Sequence, residues 1–217
     1  MTLQAGRIYG GVGRLGAARQ GGAVPWWLSG GISAANCVGA YLAKGAADYE
    51  TSKINLATPG TYDLQEVGGA LNWTVGGWTE VPGRYFDTGI TLGSSYTVAV
   101  RVSTSAQSYR AAVSNYDYGS ESFGIYPRWA NFAGRVAFTS LRDTGVSGEG
   151  DHVMAQAGVY GYVDGVMKVS NAGAPSLILR IFTNATSLTH RMMAVAVYKS
   201  VLDAAQVAAL SAAMAAL

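Results

Sequence analysis

The chain has 217 residues, of which 13% are charged and 49% hydrophobic, with 29 glycines, 13 tyrosines and a formal net charge of +2. This length suffices for one all-β domain with a complete hydrophobic core, and so small a net charge argues against nucleic acid or a membrane as partner of the whole chain. The single cysteine, Cys37, excludes an internal disulfide framework, and in its small-residue apolar stretch we expect a buried, unreactive thiol.

Residues 1–33 form the first predicted unit, an extended N-terminal arm rich in glycine. Its arginines, Arg7, Arg14 and Arg19, precede every acidic residue of the chain. Because so few apolar side chains do not offset the entropy of ordering the backbone, we expect a neighbouring subunit of an assembly to hold the arm. The glycines at 11–16 match a dinucleotide-binding pattern, but the strand, helix and downstream acid that this motif needs do not accompany them.

Two adjacent tryptophans, Trp26 and Trp27, lie near the end of the arm. Neighbouring side chains of an extended segment face opposite sides, so at least one indole should leave the core of its own domain. Three uses stay open for it: packing against a partner, clamping the arm to the domain, or stacking on a sugar. We favour packing and assign both residues to a partner-binding arm.

Residues 34–217 form the second predicted unit, a β-rich domain. The clearest strand is Tyr96–Ser103, where apolar residues alternate with polar or small ones, so we expect one buried and one solvated face. Residues Val159–Ser170 predict a hairpin around Asp164-Gly165, a dipeptide that tolerates the positive φ angles of a type I′ turn. About ten short strands in all, separated by glycine and polar turns, indicate a sandwich or barrel. The remaining predicted strands are Ala34–Leu42, Asn72–Val75, Gly83–Ile90, Tyr109–Ser114, Ser122–Tyr126, Gly134–Thr139, His152–Ala157, Leu177–Thr183 and Arg191–Tyr198.

The last stretch changes from alternating to helical spacing. Asp203 is suited to cap the N-terminus of a helix, and apolar residues then recur every three or four positions among alanines. The sequence therefore predicts a short C-terminal amphipathic helix whose apolar stripe docks on the parent domain. The residues of that stripe are Val207, Leu210, Met214 and Leu217.

Four segments occur in an order typical of one family of sandwich domains. GRYFDTGI is followed by the strand Tyr96–Ser103, then by Tyr162-Val163-Asp164-Gly165, and last by VYKSVLDAAQVAAL, in which Asp203 stands where Ser or Thr is usual. Over about residues 35–217 the chain thus resembles the laminin-G-like domains of the concanavalin A-like lectin/glucanase superfamily. The resemblance implies an all-β, two-sheet antiparallel jelly-roll sandwich. Residues 25–63 are similar to segments found ahead of such domains in phage and prophage structural proteins.

The sequence lacks a complete catalytic set. Glycan hydrolases of this superfamily resemble one another in an E-x-D-x-x-E motif, whose spacing places two catalytic carboxylates on one face of a strand. The nearest match begins with Glu149 and Asp151 but ends in Met154, so we predict that the chain is not an enzyme. We expect His152 and His190 to be solvent-exposed at strand ends. The loop acids do not form the dense ligand run typical of calcium sites, and we assign neither a metal nor a cofactor.

Two aromatic loops have the composition of a binding surface. Their candidate residues are Tyr116, Tyr118, Tyr126, Arg128 and Trp129. Sugars stack on aromatic rings that have polar neighbours, whereas protein interfaces use Tyr, Trp and Arg as anchors. The sequence does not separate these two uses.

Together these observations favour a non-enzymatic virion structural protein, either a phage capsid decoration or a tail-associated component. We expect it to attach to capsid or tail subunits through its arm, to be a homo-oligomer or part of a larger assembly, and to bind neither nucleic acid nor membrane. The N-terminus lacks a basic start followed by an apolar core, so we expect assembly in a host cytoplasm and residence in the virion. The alternative is a lectin-like adhesin module that binds carbohydrate.

Overall fold

The structure is a computed structural model and describes residues 24–105, 111–114, 123–129, 133–138, 140–145, 150–170, 177–182 and 190–217. Its helical elements are the 3₁₀ segments Trp26–Gly31 and Ala34–Asn36, helix α1 (Tyr49–Ser52) and helix α2 (Ala204–Ala215). Its strands in chain order are β1 (Cys37–Leu42), β2 (Gln65–Val67), β3 (Asn72–Thr74), β4 (Gly77–Thr79), β5 (Tyr85–Leu92), β6 (Thr97–Thr104), β7 (Val113–Ser114), β8 (Gly124–Trp129), β9 (Ala133–Phe138), β10 (Ser140–Asp143), β11 (Gly150–Ala157), β12 (Tyr160–Val163), β13 (Val166–Val169), β14 (Leu177–Ile181) and β15 (His190–Tyr198).

Two antiparallel sheets form the body of the protein. Sheet A has the strand order β13-β12-β11-β6-β15-β4-β3, and β1 also pairs with β15. Sheet B has the order β10-β9-β8-β7-β14-β5-β2. In each sheet about half of the neighbouring strands are distant in sequence, as in a Greek-key sandwich. The predicted two-sheet antiparallel sandwich with a short C-terminal helix is confirmed.

The main hydrophobic core lies between the two sheets. Val98, Val100 and Val102 of β6 point into it from sheet A, where they meet residues such as Ile90 and Ile125 from sheet B. Since side chains alternate along a strand, this is the buried face that the sequence predicts for Tyr96–Ser103. Boundaries shift by one residue: the observed strand is Thr97–Thr104.

The expectation of a solvated second face on this strand is wrong. Thr97, Ala99 and Arg101 are buried as well, because α2 and the Trp26–Gly31 segment lie over the outer face of sheet A and enclose a second apolar cluster there. When both faces of a strand are covered, the alternation of apolar and polar residues no longer indicates which side chains are exposed. The side chains of Thr97 and Ala99 are small, which allows α2 and the Trp26–Gly31 segment to approach sheet A closely.

Helix α2 begins as the sequence predicts. The side chain of Asp203 accepts a hydrogen bond from Gln206 N (2.9 Å), and Gln206 Oε1 accepts one from Asp203 N (3.1 Å), which completes a capping box. Val207, Leu210 and Met214 are fully buried against sheet A. No helix among the described residues combines the length and the apolar content that a membrane span requires.

Residues 24–33, the described part of the predicted extended arm, differ from that expectation. Trp26–Gly31 forms two short 3₁₀ turns with a kink at Ser29-Gly30. A Cβ added at Gly30 would lie 2.8 Å from Ala209 Cβ, so the segment approaches α2 at a place where only glycine fits. Ile32 is buried in the outer cluster. Residues 26–32 thus belong to the packed body, because their apolar side chains pack in the outer cluster beside α2.

The hairpin at Asp164-Gly165 is confirmed. Asp164 and Gly165 have φ angles of 50° and 78°, the signs required at both central positions of a type I′ turn. The turn packs on α2, since a Cβ added at Gly165 would lie 3.0 Å from Ala208 Cα. Asp164 also accepts a hydrogen bond from Val153 N (2.9 Å), which ties the turn to β11.

The other predicted strands are observed with small changes at their ends. A 3₁₀ turn replaces the strand predicted at 34–36 before β1, and of predicted Tyr109–Ser114 the strand is Val113–Ser114. Among the short strands that the sequence did not predict, Gln65–Val67 and Ser140–Asp143 form the edges of sheet B, and Gly77–Thr79 lies beside the edge of sheet A. The predicted strand residues at 109–110, 122, 139 and 183 lie outside the described part of the chain.

Candidate recognition surface on the second sheet

The outer face of sheet B is accessible along β5 and β14, whereas the outward-facing Ser114 of β7 and Gly124 of β8 are buried. On β5 every second residue from Phe86 to Leu92 is buried, whereas the alternate residues from Tyr85 to Thr91 are half-buried or exposed. Ile178 of β14 lies on the same outer face and is 41% exposed. Helix α2 packs on β6, β11 and β13, which all belong to sheet A. The two sheets therefore differ: sheet A is covered on its outside and sheet B presents side chains to solvent.

Cross-strand register brings polar residues into one row on this face. Asp87 of β5 is the register partner of Gln65 on β2 and of Arg180 on β14. Arg180 in turn pairs with Ser114 on β7, which pairs with Gly124 on β8. Directly paired residues of antiparallel strands carry their side chains on the same face, about 5 Å apart. The row therefore places a cation and an anion on neighbouring strands toward the β2 edge of the sheet.

Arg180 contacts an aromatic ring. Its guanidinium carbon lies 4.8 Å from the centroid of the Tyr85 ring, within the range of a cation–π interaction. Tyr85 and Asp87 are two residues apart on β5 and therefore share a face. Asp87 Oδ1 accepts a hydrogen bond from Gly89 N (2.8 Å), which fixes the orientation of the carboxylate.

Tyr62 contributes a second aromatic ring from the loop that precedes β2. Its side chain is 45% exposed and lies beside β5, since a Cβ added at Gly89 would be 3.5 Å from Tyr62 Cδ1. The backbone of Tyr62 has a φ of 62°, in the left-handed region that non-glycine residues seldom occupy. The hydroxyl of the buried Tyr41 donates to Tyr62 O (2.7 Å) and holds it there.

Tyr126 supplies a third ring at the β8 end of the row. Its neighbour on the same face is Gly124, where an added Cβ would lie 2.6 Å from Tyr126 Cε2 and 3.1 Å from its hydroxyl oxygen. The ring thus lies flat over Gly124, and the missing side chain at that position makes room for it. Ile125, between the two, points into the core and is fully buried. We call Tyr62, Tyr85, Asp87, Tyr126 and Arg180 together the sheet B surface.

A cleft of about 590 Å³ adjoins this surface on the side of β2, and Gln65 contributes to both. Lys53 lies in its wall, with its ammonium 2.9 Å from Glu50 Oε1 and 2.7 Å from Glu66 Oε1. Burial lowers the pKa of Lys53, but the hydrogen bonds to Glu66 and Glu50 outweigh it, so the net shift is upward. The hydrogen bond from Lys53 in turn lowers the pKa of Glu66. The cleft lining is therefore charged, and its lysine is already paired.

The predicted site residues are only partly brought together. Tyr126 lies on the sheet B surface, Arg128 and Trp129 continue the same strand β8, and Tyr116 and Tyr118 lie outside the described residues. Arg7, Arg14 and Arg19 of the predicted arm also lie outside them.

Trp26 and Trp27 contact each other edge to face, with ring centroids 5.6 Å apart, and pack against the outer cluster on sheet A. The hydroxyl of Tyr198 donates to Trp27 O (2.8 Å). These contacts match the alternative in which the two tryptophans clamp the arm to the domain. Contact of either indole with a partner stays a prediction.

The two histidines have different environments. The expectation of an exposed His190 is wrong: its side chain is buried at the end of sheet A, with Nδ1 2.8 Å from Oε1 of the equally buried Glu80. The carboxylate of Glu80, 110 positions away in the sequence, offsets the free-energy cost of burying the imidazole. His152 keeps partial exposure, and its Nδ1 lies 2.8 Å from Asp164 Oδ2.

Cys37 fits its predicted role as a buried thiol. It lies in the outer cluster, and burial raises its pKa to about 12. Of the nearest match to a hydrolase motif, Glu149 lies outside the described residues. Asp151 forms an ion pair with Arg101, with 3.4 Å between its Oδ2 and the guanidinium. Among the described residues no group of three or more His, Cys, Asp or Glu side chains is arranged to hold a metal ion.

Sequence reasoning missed Tyr62, Tyr85, Asp87 and Arg180. Each is an isolated residue in its own segment, and only the register of β2, β5 and β14 assembles them. One local signal was available. The alternation Tyr85, Asp87, Gly89, Thr91 marks a polar outer face within the predicted strand GRYFDTGI.

No protein-family model matches the chain, and no curated protein matches it. Solved structures do. Domain 4 of AbnA, a GH43 extracellular arabinanase from Geobacillus stearothermophilus, in complex with arabinotriose, has a TM-score of 0.58 at 13% identity, over 81% of this chain and 98% of that one. The sialidase of Trypanosoma rangeli has a TM-score of 0.53 at 14% identity, and the receptor-binding domain of botulinum neurotoxin D one of 0.57 at 8% identity.

The chain spans nearly all of the arabinanase domain, but only 32% of the sialidase and 53% of the toxin domain, with 82% of its own length covered in both matches. At identities this low, the structural similarity establishes a shared fold but not a shared function. The function of this chain must be inferred from its own residues. The similarity supports the two-sheet β-sandwich fold.

Proposed function

We propose that this chain is a non-enzymatic, lectin-like recognition domain that binds glycan on the sheet B surface. The observation that carries the proposal is the combination on one accessible face of three tyrosine rings with an oriented arginine and a carboxylate. Sugars are recognised by aromatic rings that cover their apolar faces and by fixed polar groups that bond to their hydroxyls. The arabinanase domain in complex with arabinotriose and the toxin receptor-binding domain show that this kind of sandwich occurs in binding modules.

The chemistry of the surface favours binding over hydrolysis. Glycoside hydrolysis uses two carboxyl groups on either side of the scissile bond. Of the side chains that the structure describes on the sheet B surface, one is a carboxylate, Asp87, and it already accepts a hydrogen bond from Gly89 N. Such a group can accept from a sugar hydroxyl, but it lacks the second acid that bond cleavage needs.

A glycan array followed by calorimetry tests the proposal. We expect saturable binding that falls about fivefold or more in Tyr126→Ala, because an aromatic platform contributes on the order of 1 kcal/mol, and that persists in Tyr126→Phe. Tyr160→Ala is the matched control, since Tyr160 is 41% exposed on the edge hairpin of sheet A. Absence of binding to every glycan, or equal losses in both alanine variants, would contradict the proposal.

We propose as a second candidate a virion structural role, as a phage capsid decoration or tail-associated component. In support of this candidate, the Trp26–Gly31 segment packs against α2, and Val24, just before it, is 68% exposed. The segment that residues 1–23 precede is therefore attached to the domain. Arg7, Arg14 and Arg19 would then contact acidic patches on neighbouring capsid or tail subunits.

Deletion of residues 1–23 tests this second role. The variant should keep the fold, because Trp26, Trp27 and Ile32 retain their contacts, yet it should no longer join particles. A triple substitution of the three arginines by glutamine is the milder version and should weaken incorporation more at low salt than at high salt, where screening already reduces the attraction in the wild type. Incorporation at the wild-type level in both variants would refute attachment through the N-terminal arm.

A further inference from the structure

Resting on the proposed glycan binding, we infer that the ligand is an oligosaccharide that lies across the strands of sheet B, with separate sugar residues on Tyr62 and Tyr126 and its middle on Arg180 and Asp87. The proposed function requires only that some sugar binds. This inference adds the length of the ligand and the direction in which it runs.

The separation of the two outer rings sets the length. Tyr62 lies beside Gly89 on β5 and Tyr126 lies over Gly124 on β8, and the strand order between them is β5-β14-β7-β8. Three strand spacings of 4.7–4.9 Å separate β5 from β8, which gives about 14 Å. Stacked rings have centroids about 4.5–7 Å apart, so one sugar ring does not reach both tyrosines. A ligand that uses both must carry at least two rings joined by further residues.

The middle of the row supplies the polar contacts. Arg180 and Asp87 are register partners on β14 and β5, between the two outer rings. The guanidinium offers donors and the carboxylate offers acceptors, so the pair matches neighbouring hydroxyls of a sugar ring, each of which both donates and accepts. Contact with the Tyr85 ring restricts the motion of the guanidinium, which reduces the entropy lost when a ligand binds.

The net charge at the middle favours an uncharged ligand. One cation and one anion of the surface balance each other, and the adjoining cleft carries Asp48, Glu50, Asp63 and Glu66 against the single Lys53. An acidic glycan that extends toward Tyr62 therefore approaches a surplus of carboxylates. Neutral oligosaccharides avoid that repulsion.

The experiment measures affinity of the full chain for mono-, tri- and hexasaccharides of the arabino-, malto- and cello-series by calorimetry. We expect the hexasaccharide of the preferred series to bind at least tenfold more tightly than its monosaccharide. Tyr62→Ala and Tyr126→Ala should each weaken hexasaccharide binding about fivefold, whereas no more than one of them should affect the monosaccharide. Tyr62→Phe and Tyr126→Phe keep the rings and should retain most of the affinity.

Gly124→Ala provides a variant that keeps every aromatic residue but shifts the Tyr126 ring. The added Cβ would lie 2.6 Å from the Tyr126 ring and must displace it, so this variant should reproduce the hexasaccharide loss of Tyr126→Ala. Equal affinity for all lengths, or a loss confined to one tyrosine, overturns the inference while glycan binding itself stands. If the wild-type chain binds none of these sugars or any glycan on an array, the proposed function fails and the inference fails with it.

Discussion

Asn55 controls the position of the Tyr62 loop, and its substitution gives the sharpest test of the structural reasoning. Its side chain is fully buried and makes four hydrogen bonds of 2.8–3.1 Å, two as donor and two as acceptor. These bonds join the loop to strand β1 and satisfy the whole capacity of the amide group. Their backbone partners are Ala40 N, Ala57 N, Val38 O and Thr61 O.

The expected cost of Asn55→Ala follows from this count. Each intramolecular hydrogen bond contributes about 1 kcal/mol net, and buried partners left unsatisfied add to the loss, so the free energy of unfolding should fall by about 4 kcal/mol. That is a large share of the roughly 5–15 kcal/mol typical of a folded domain. Asn55→Asp keeps the shape but loses both donors, and a carboxylate would face Val38 O and Thr61 O. Its stability should therefore be lower at pH 7 than at pH 3, where the protonated carboxyl donates one bond.

Equilibrium denaturation with urea measures both variants, and Asn72→Ala is the matched control. Asn72 is exposed on β3 and its substitution should change stability by less than about 0.5 kcal/mol. Proton exchange of the Ala40 and Ala57 amides should accelerate in Asn55→Ala. A loss below about 1 kcal/mol with unchanged exchange would refute the view that this one amide fastens the loop.

Three further outcomes follow from other parts of the chain. Because burial raises the pKa of Cys37 to about 12, a thiol reagent at pH 8 should label the unfolded chain but not the native one. Asp203→Ala removes the N-cap of α2 and should lower the free energy of unfolding by about 1 kcal/mol in thermal denaturation. The hydrogen bond from Lys53 lowers the pKa of Glu66, so its stabilisation is complete above the ordinary value of 4.5 and is lost as pH falls through the lowered one. Glu66→Gln should thus be less stable than wild type at pH 7 and equally stable at pH 2.

Each of these outcomes has a contrary result and a control. Rapid labelling of native Cys37 would show that the outer layer opens readily, with the denatured chain as reference for complete labelling. Asp203→Asn retains a capping oxygen and should keep most of the stability that Asp203→Ala loses. For Glu66, a stability difference that does not depend on pH would mean that the Lys53 pairing is not its source.

Local patterns in the sequence predict the elements of this fold well. Alternation over Tyr96–Ser103, the Asp164-Gly165 dipeptide and the Asp203 cap each act through neighbours a few residues away, so their signals are complete within a short window. The order of the laminin-G-like segments extends the prediction to a two-sheet sandwich. Tyr126 was identified as a binding candidate on composition alone.

The sequence by itself determined that most of the strands, the tight hairpin turn and the C-terminal helix occur and about where each lies, because backbone geometry and alternation are local properties. Only the tertiary structure decided which faces are covered. It placed α2 over β6, so that Arg101 is buried; it paired His190 with Glu80; and it set Tyr85, Asp87 and Arg180 side by side. The physical reason is that strand order, register and core packing bring together residues that are distant in sequence, such as Cys37 and Tyr198, which no short window of sequence contains.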